Sequence, residues 1–208
     1  MNRKFIENSN YVLRKVLHSN NCLDILKNFI ESFLKIEVKN IKINKNPQLK
    51  KFKNREYGII DTRITTKEDE ELNVGIQIID GDYIQNKMFL YYAKIHSNQI
   101  LYGDNRKIAK TVTINILDMP YFSSIQYHRI IKIKTNIISD SILETMELHV
   151  VELPKYTREL KTENINKGEW VTYLKGEDND SICKIKSKNK YIKKLDDLLE
   201  KYWEDEII

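Results

Sequence analysis

The chain has 208 residues, enough for one compact domain with a sizeable core and too few for two large ones. With 41% hydrophobic and 31% charged residues but only 6 Gly and 3 Pro, its composition is globular and excludes a disordered or fibrous chain. Lys and Arg total 35 against 30 Asp and Glu, a net +5 that is too mild to require a nucleic-acid partner by itself.

The distribution of charge is more informative than its sum. Residues 1–56 hold 13 basic and 5 acidic side chains, and residues 57–82 hold 2 basic and 7 acidic. A basic rim beside an acidic patch suits a phosphate-binding surface around a metal site, but charge alone favours a solvated loop next to an acidic turn. No apolar run approaches the roughly 18 residues of a membrane span, and Glu7, Asn8, Ser9 and Asn10 interrupt any secretory core, so a cytoplasmic protein is expected. Cys22 and Cys183 lie outside any CxxC and read as free thiols.

In chain order, Asn20 and Asn21 are candidate N-caps for a core helix carrying Leu23, Leu26, Phe29, Ile30, Phe33 and Leu34 on one face. Ile36 to Ile43 alternates as a strand. Lys45 to Glu56, with Pro47 and five basic residues, reads as a loop. Tyr57–Thr66 and Leu72–Ile79 form an expected antiparallel hairpin with Glu68, Asp69, Glu70 and Glu71 at its tip. In its second strand Asn73, Gly75 and Gln77 share one face, and Val74, Ile76 and Ile78 the other.

Ile84, Met88, Tyr91 and Ile95 then mark a helix running to about Tyr102, stopped by Gly103. Strands are expected over Thr111–Leu117, Gln126–Ile133 and Met146–Leu153. Tyr191, Leu195, Leu198, Leu199 and Tyr202 mark a final amphipathic helix. This order predicts an α/β fold: a mixed sheet flanked by helices, with the strands either side of the 84–102 helix parallel.

Asp61 falls in the middle of a hairpin strand, and a buried carboxylate there needs a partner or a metal. An edge position would leave it a solvated side chain. His18, His96, His128 and His149 show no metal-ligand spacing and read as surface or strand residues. P-loop, GxGxxG and GxSxG motifs are missing from the sequence.

Five fragments in order, GIIDTRITTKEDEELNVGIQII (58–79), MFLYYAKIHSNQI (88–100), TVTINILDMPYF (111–122), YHRIIKIK (127–134) and MELHVVELPKY (146–156), resemble the PD-(D/E)XK nuclease family transposases of bacteria, the recombination-promoting nuclease group. WVTYLKG (170–176) resembles the family's next block. The resemblance covers about residues 10–175 and divides the chain into a nuclease-like domain, 1–176, and a C-terminal tail with its amphipathic helix, 177–208.

The resemblance implies a restriction-endonuclease-like core, a Mg²⁺-dependent DNA endonuclease activity and duplex DNA as partner. It implies no membrane and leaves a homodimer open. A strand Asp and a Glu on the neighbouring strand would hold Mg²⁺, followed two residues on by Lys or, in this group, Gln. The metal would activate water against the scissile phosphate.

Asp61 matches the first position and is the expected metal ligand, with Ile60 where the motif has proline. Gln77 matches the last, for orienting water or phosphate. Gly75 stands where Glu is expected, so the catalytic set Asp61, Gly75, Gln77 lacks one carboxylate. The expected function is therefore an endonuclease that is inactive or impaired; the alternative is a non-catalytic DNA-binding or protein-interaction module. On this reading a Glu at position 75 would complete the pair with Asp61. Lys50, Lys51, Lys53, Arg55 and Arg63 are the expected DNA-backbone contacts.

Overall fold

The computed structural model describes residues 17, 19–44, 59–79, 81–102, 108–132, 146–157, 164–176 and 179–206. Ser19, not Asn20 or Asn21, supplies the first capping side chain: its Oγ accepts the Asn21 N–H (3.3 Å) over a single 3-10 turn, Asn20–Cys22. That turn passes into α1 (Leu23–Leu34), which buries Ile25, Leu26, Phe29, Ile30 and Phe33. Lys35, left-handed at φ 56°, ends it by returning its N–H to the Glu31 carbonyl.

Six strands follow: β1 (Val38–Ile43), β2 (Ile59–Thr66), β3 (Glu71–Ile79), β4 (Lys110–Leu117), β5 (His128–Lys132) and β6 (Met146–Glu152). They form one mixed sheet in the order β1-β2-β3-β4-β6-β5. The β2–β3 hairpin is antiparallel as expected, with Asp69 turning at φ 62°. β3 and β4, joined through helix α2 (Ile84–Tyr102), are parallel, and so are β4 and β6. Strands β1 and β5 are the antiparallel edges.

Helices cover both faces of this sheet, so its central strands β3, β4 and β6 are buried almost throughout. On one face Ile60, Ile64, Val74, Ile76, Val112, Ile114, Ile116 and Val151 pack with α1 and with α3 (Ile165–Lys175), which contributes Trp170 and Val171. Gly176, at φ 63°, caps α3. Beyond it come α4 (Asn179–Lys188) and α5 (Lys190–Glu206), and α5 returns against α1 with Ile192, Leu195 and Leu199 in the same core.

On the other face α2 is the one helix among the described residues. Ile84 and Met88 meet Ile79, Leu117, Met146, Leu148 and Val150. The four apolar positions read from the sequence, Ile84, Met88, Tyr91 and Ile95, are all buried. Tyr83, Phe89 and Leu90 remain exposed around the start of the same helix.

Candidate functional site

The hairpin register places Asp61 directly opposite Gly75 and Ile59 opposite Gln77. Alternation then puts Asp61, Asn73, Gly75 and Gln77 on the face beneath α2, continued on β4 by Thr111, Thr113 and Asn115. This is a polar layer in an apolar setting: Asp61, Asn73 and Gln77 are at most 3% exposed, and the three β4 residues are fully buried.

Amides surround the Asp61 carboxylate. Asn44, just past β1, donates Nδ2 to Oδ1 at 3.0 Å, and Asn98 on α2 donates a second side-chain hydrogen bond. The same Asn44 nitrogen lies 3.2 Å from Asn73 Oδ1, while Asn73 Nδ2 donates to the Ile95 carbonyl. Burial pushes the Asp61 pKa up to about 6, outweighing the amide hydrogen bonds that favour its charged form. Asn73 was legible in the sequence as a neighbour; Asn44, at the end of the adjacent strand, and Asn98, on a helix, were legible only once β1 and α2 were docked.

Position 75 is closed from above. A Cβ on Gly75 would lie 2.1 Å from Ile95 Cδ1, 2.9 Å from Tyr91 Oη and 3.1 Å from Tyr91 Cε1. Tyr91 is anchored there, its hydroxyl donating to the Ile60 carbonyl at 3.1 Å with the Ile76 carbonyl at 3.5 Å. Gly75 is therefore the strand glycine that lets a helix approach closely. The expectation that a Glu at 75 would simply complete the pair is corrected here, because α2 already fills the space such a side chain needs.

Gln77 turns along the sheet: its Nε2 donates to Asn115 Oδ1 at 2.6 Å, and Asn115 Nδ2 donates to Thr113 Oγ1 and the His149 carbonyl. Arg63 shares the face with Asp61 and pairs with Glu71 at 2.5 Å. Lys50, Lys51, Lys53 and Arg55 lie outside the described residues.

PD-(D/E)XK nucleases use a divalent metal, and the residues here fit one poorly. The second carboxylate position holds no side chain, and the groups next to Asp61 are amide donors, which compete with a cation for its lone pairs. Among the described residues, no group of three or more His, Cys, Asp or Glu could hold a metal ion.

Of a second polar constellation, on the opposite face, only His128 and His149 were read from sequence, as surface or strand residues. Lys167 Nζ on α3 lies 3.2 Å from His128 Nδ1, His128 Nε2 lies 3.0 Å from His149 Nδ1, and His149 Nε2 lies 2.7 Å from Glu147 Oε1. An ammonium only donates and a carboxylate only accepts, so the chain has one direction, with both neutral imidazoles carrying their proton on Nε2. Lys110 and Lys132 reach the other Glu147 oxygen at 2.7 and 3.0 Å.

Burial and the Lys167 cation push the His128 pKa down to about 3. The His149 hydrogen bond, with those of the two lysines, holds Glu147 well below the usual carboxylate range. The signal in sequence was the i, i+2 spacing of Glu147 and His149, which sets both on one face of β6.

A family model for PD-(D/E)XK nuclease family transposases matches residues 8–206. Neither a curated protein nor a solved structure matches the chain. The family match extends past the fragments quoted above to include α4 and α5, and the mixed sheet with helices on both faces is the restriction-endonuclease-like α/β fold the resemblance implied. With nearly the whole chain matched in order, the protein belongs to the PD-(D/E)XK nuclease family transposases.

Proposed function

We propose that this chain is a DNA-binding member of its family in which phosphodiester cleavage is silenced or strongly impaired. The observation that carries the reading is the closure of position 75: the acid expected opposite Asp61 is replaced by glycine, and Ile95 and Tyr91 of α2 occupy its place. A single carboxylate among amides supplies neither the charge nor the open coordination sphere that a Mg²⁺-activated water requires. Asp61 and Gln77 then serve the polar layer under α2, where their partners are Asn44, Asn98 and Asn115. DNA as partner is supported by the family and by the basic excess of the chain. No helix among the described residues is long and apolar enough to cross a membrane.

The test pairs two assays on the full chain. Supercoiled plasmid is incubated with Mg²⁺ or Mn²⁺, with and without EDTA, and duplex binding is followed by fluorescence anisotropy. The expected result is salt-dependent binding without metal-dependent nicking. EDTA-sensitive nicking by the unmodified chain that disappears in Asp61→Asn would overturn the silenced site, and lack of duplex binding at low salt would overturn the DNA partner. Light scattering at the same concentrations reports whether the binding species is a monomer or a homodimer.

A further inference from the structure

Residues 181–195 carry six lysines, Lys184, Lys186, Lys188, Lys190, Lys193 and Lys194, and no Asp or Glu. The fold separates these six into two groups. Lys186 pairs with Asp196 and Lys194 with Asp24 of α1, so both already have a carboxylate partner. Lys184, Lys188, Lys190 and Lys193 are exposed and form no ion pair among the described residues. Lys184 and Lys188 are one turn apart on α4, about 6 Å along its axis. Lys190 and Lys193 open α5, with Lys190 over the Tyr191 ring.

The corner between them is built rather than loose. Asn189, 7% exposed, accepts the Tyr191 and Ile192 N–H groups on Oδ1 and donates Nδ2 to Asn166 and Glu169 of α3. Like charges at i, i+4 cost an isolated helix a few tenths of a kcal/mol. Asp180 and Asp197 stand four residues from Lys184 and Lys193 without forming an ion pair with them, so the four cations around this rigid corner remain open to an external anion.

We infer that the α4–α5 corner is a phosphate-backbone contact surface for duplex DNA, with Lys184, Lys188, Lys190 and Lys193 as its cations. The inference rests on the DNA-binding reading above and moves the contact to the helical layer across the sheet from Asp61. DNA carries one charge per about 1.7 Å of duplex axis, so a patch of this size meets several phosphates at once. An anionic membrane is the poorer fit. Ile185, Ile192, Leu195 and Leu199 are buried in the core, and no large hydrophobic residue between 181 and 201 is exposed to enter a bilayer. Bound here, DNA would lie away from the closed position 75, so binding and cleavage are separable properties of the two faces.

The experiment compares the full chain with Lys184→Gln/Lys188→Gln/Lys190→Gln/Lys193→Gln, using a mixed-sequence duplex and anisotropy across a salt series. Each phosphate contact contributes about 0.9 to the slope of log K against log[salt]. The expected slope is therefore shallower by between about 1.8 and about 3.6 in the variant, as two to four of the lysines meet phosphates, with an unchanged thermal melt. Should the melt change, Lys184→Gln/Lys188→Gln and Lys190→Gln/Lys193→Gln are measured separately, each expected to remove about half of the difference. Duplex binding by the unmodified chain with an unchanged slope in the variant overturns this inference alone. Failure of the unmodified chain to bind duplex overturns the DNA reading itself. Vesicles containing phosphatidylserine form the second arm: they are expected not to sediment the chain, and sedimentation that the four substitutions abolish while the DNA slope stays unchanged reassigns the corner to a membrane.

Discussion

Substituting Gly75 by Ala measures how tightly α2 is seated on the hairpin. Replacing a strand glycine normally helps by about 0.5–1 kcal/mol, since the unfolded chain loses freedom. Here the new Cβ would meet Ile95 Cδ1 at 2.1 Å, far inside the 3.5–4.0 Å of a favourable contact, and Tyr91 Oη at 2.9 Å. Ile95 is 1% exposed and Tyr91 is held by strand carbonyls, so neither moves aside cheaply.

Overpacking of this kind costs about 1–3 kcal/mol, leaving a net loss of up to about 2.5 kcal/mol for Gly75→Ala. Ile95→Val removes the colliding Cδ1 and costs about 0.5–1.5 kcal/mol alone. Combined, the Ala methyl occupies the space that the Ile methyl vacates, and the double variant should be more stable than the sum by at least about 1 kcal/mol. Urea unfolding of the four proteins, with midpoints compared at equal m-values, gives the coupling. Additivity within about 0.5 kcal/mol would refute the claim that Ile95 fills position 75.

The same geometry expects Gly75→Glu to lower the melting temperature and to give no nicking; EDTA-sensitive cleavage by that single variant would show that the space is open. For His128 the sign is fixed by its folded pKa of about 3, below the ordinary 6.5. The unfolded state takes up its proton first, so stability falls as pH drops from about 7 toward 3, by up to about 1.4 kcal/mol per unit from this group. Lys167→Met removes the adjacent cation and should make that dependence shallower, read from unfolding midpoints at pH 7.5, 6 and 5; an equal slope in both proteins sinks the assignment. Glu152, fully buried, accepts the Tyr121 and Phe122 N–H groups and pairs with Lys155 at 2.7 Å. Glu152→Ala should destabilise by about 3 kcal/mol or more, and a loss under 1 kcal/mol in the same assay would contradict its role as the clamp on the segment after β4.

What the sequence made legible follows from period and from pairing distance. The hairpin, the parallel partner strand across α2 and the register that sets Asp61 against Gly75 are encoded by alternation and by turn position, which are local. The amides around Asp61 come from three separate elements, and only the docking of β1 and α2 joins them. Gly75 itself could be read as a missing ligand or as a site of close backbone approach, and it proved to accommodate a helix. Likewise, Lys167, His128 and His149 have no common spacing; they meet because β5 returns beside β6 and α3 crosses above both.

The strand order also constrains how the chain acquires its fold. β6 lies between β4 and β5, although it follows both in sequence, and each of its β4 pairs, such as Thr111 with Met146 and Leu117 with Glu152, joins residues 35 positions apart. The β2–β3 hairpin, by contrast, closes over as few as six. During synthesis β4 therefore emerges with a bare edge of unpaired backbone groups that stays open until residue 152 has been made, and such an edge invites pairing with another chain. Non-local pairings of this kind slow folding. The last strand to be made is thus the one that protects its neighbours, and segment 146–152 is where a chaperone, or a second nascent copy, competes with the protein's own β6.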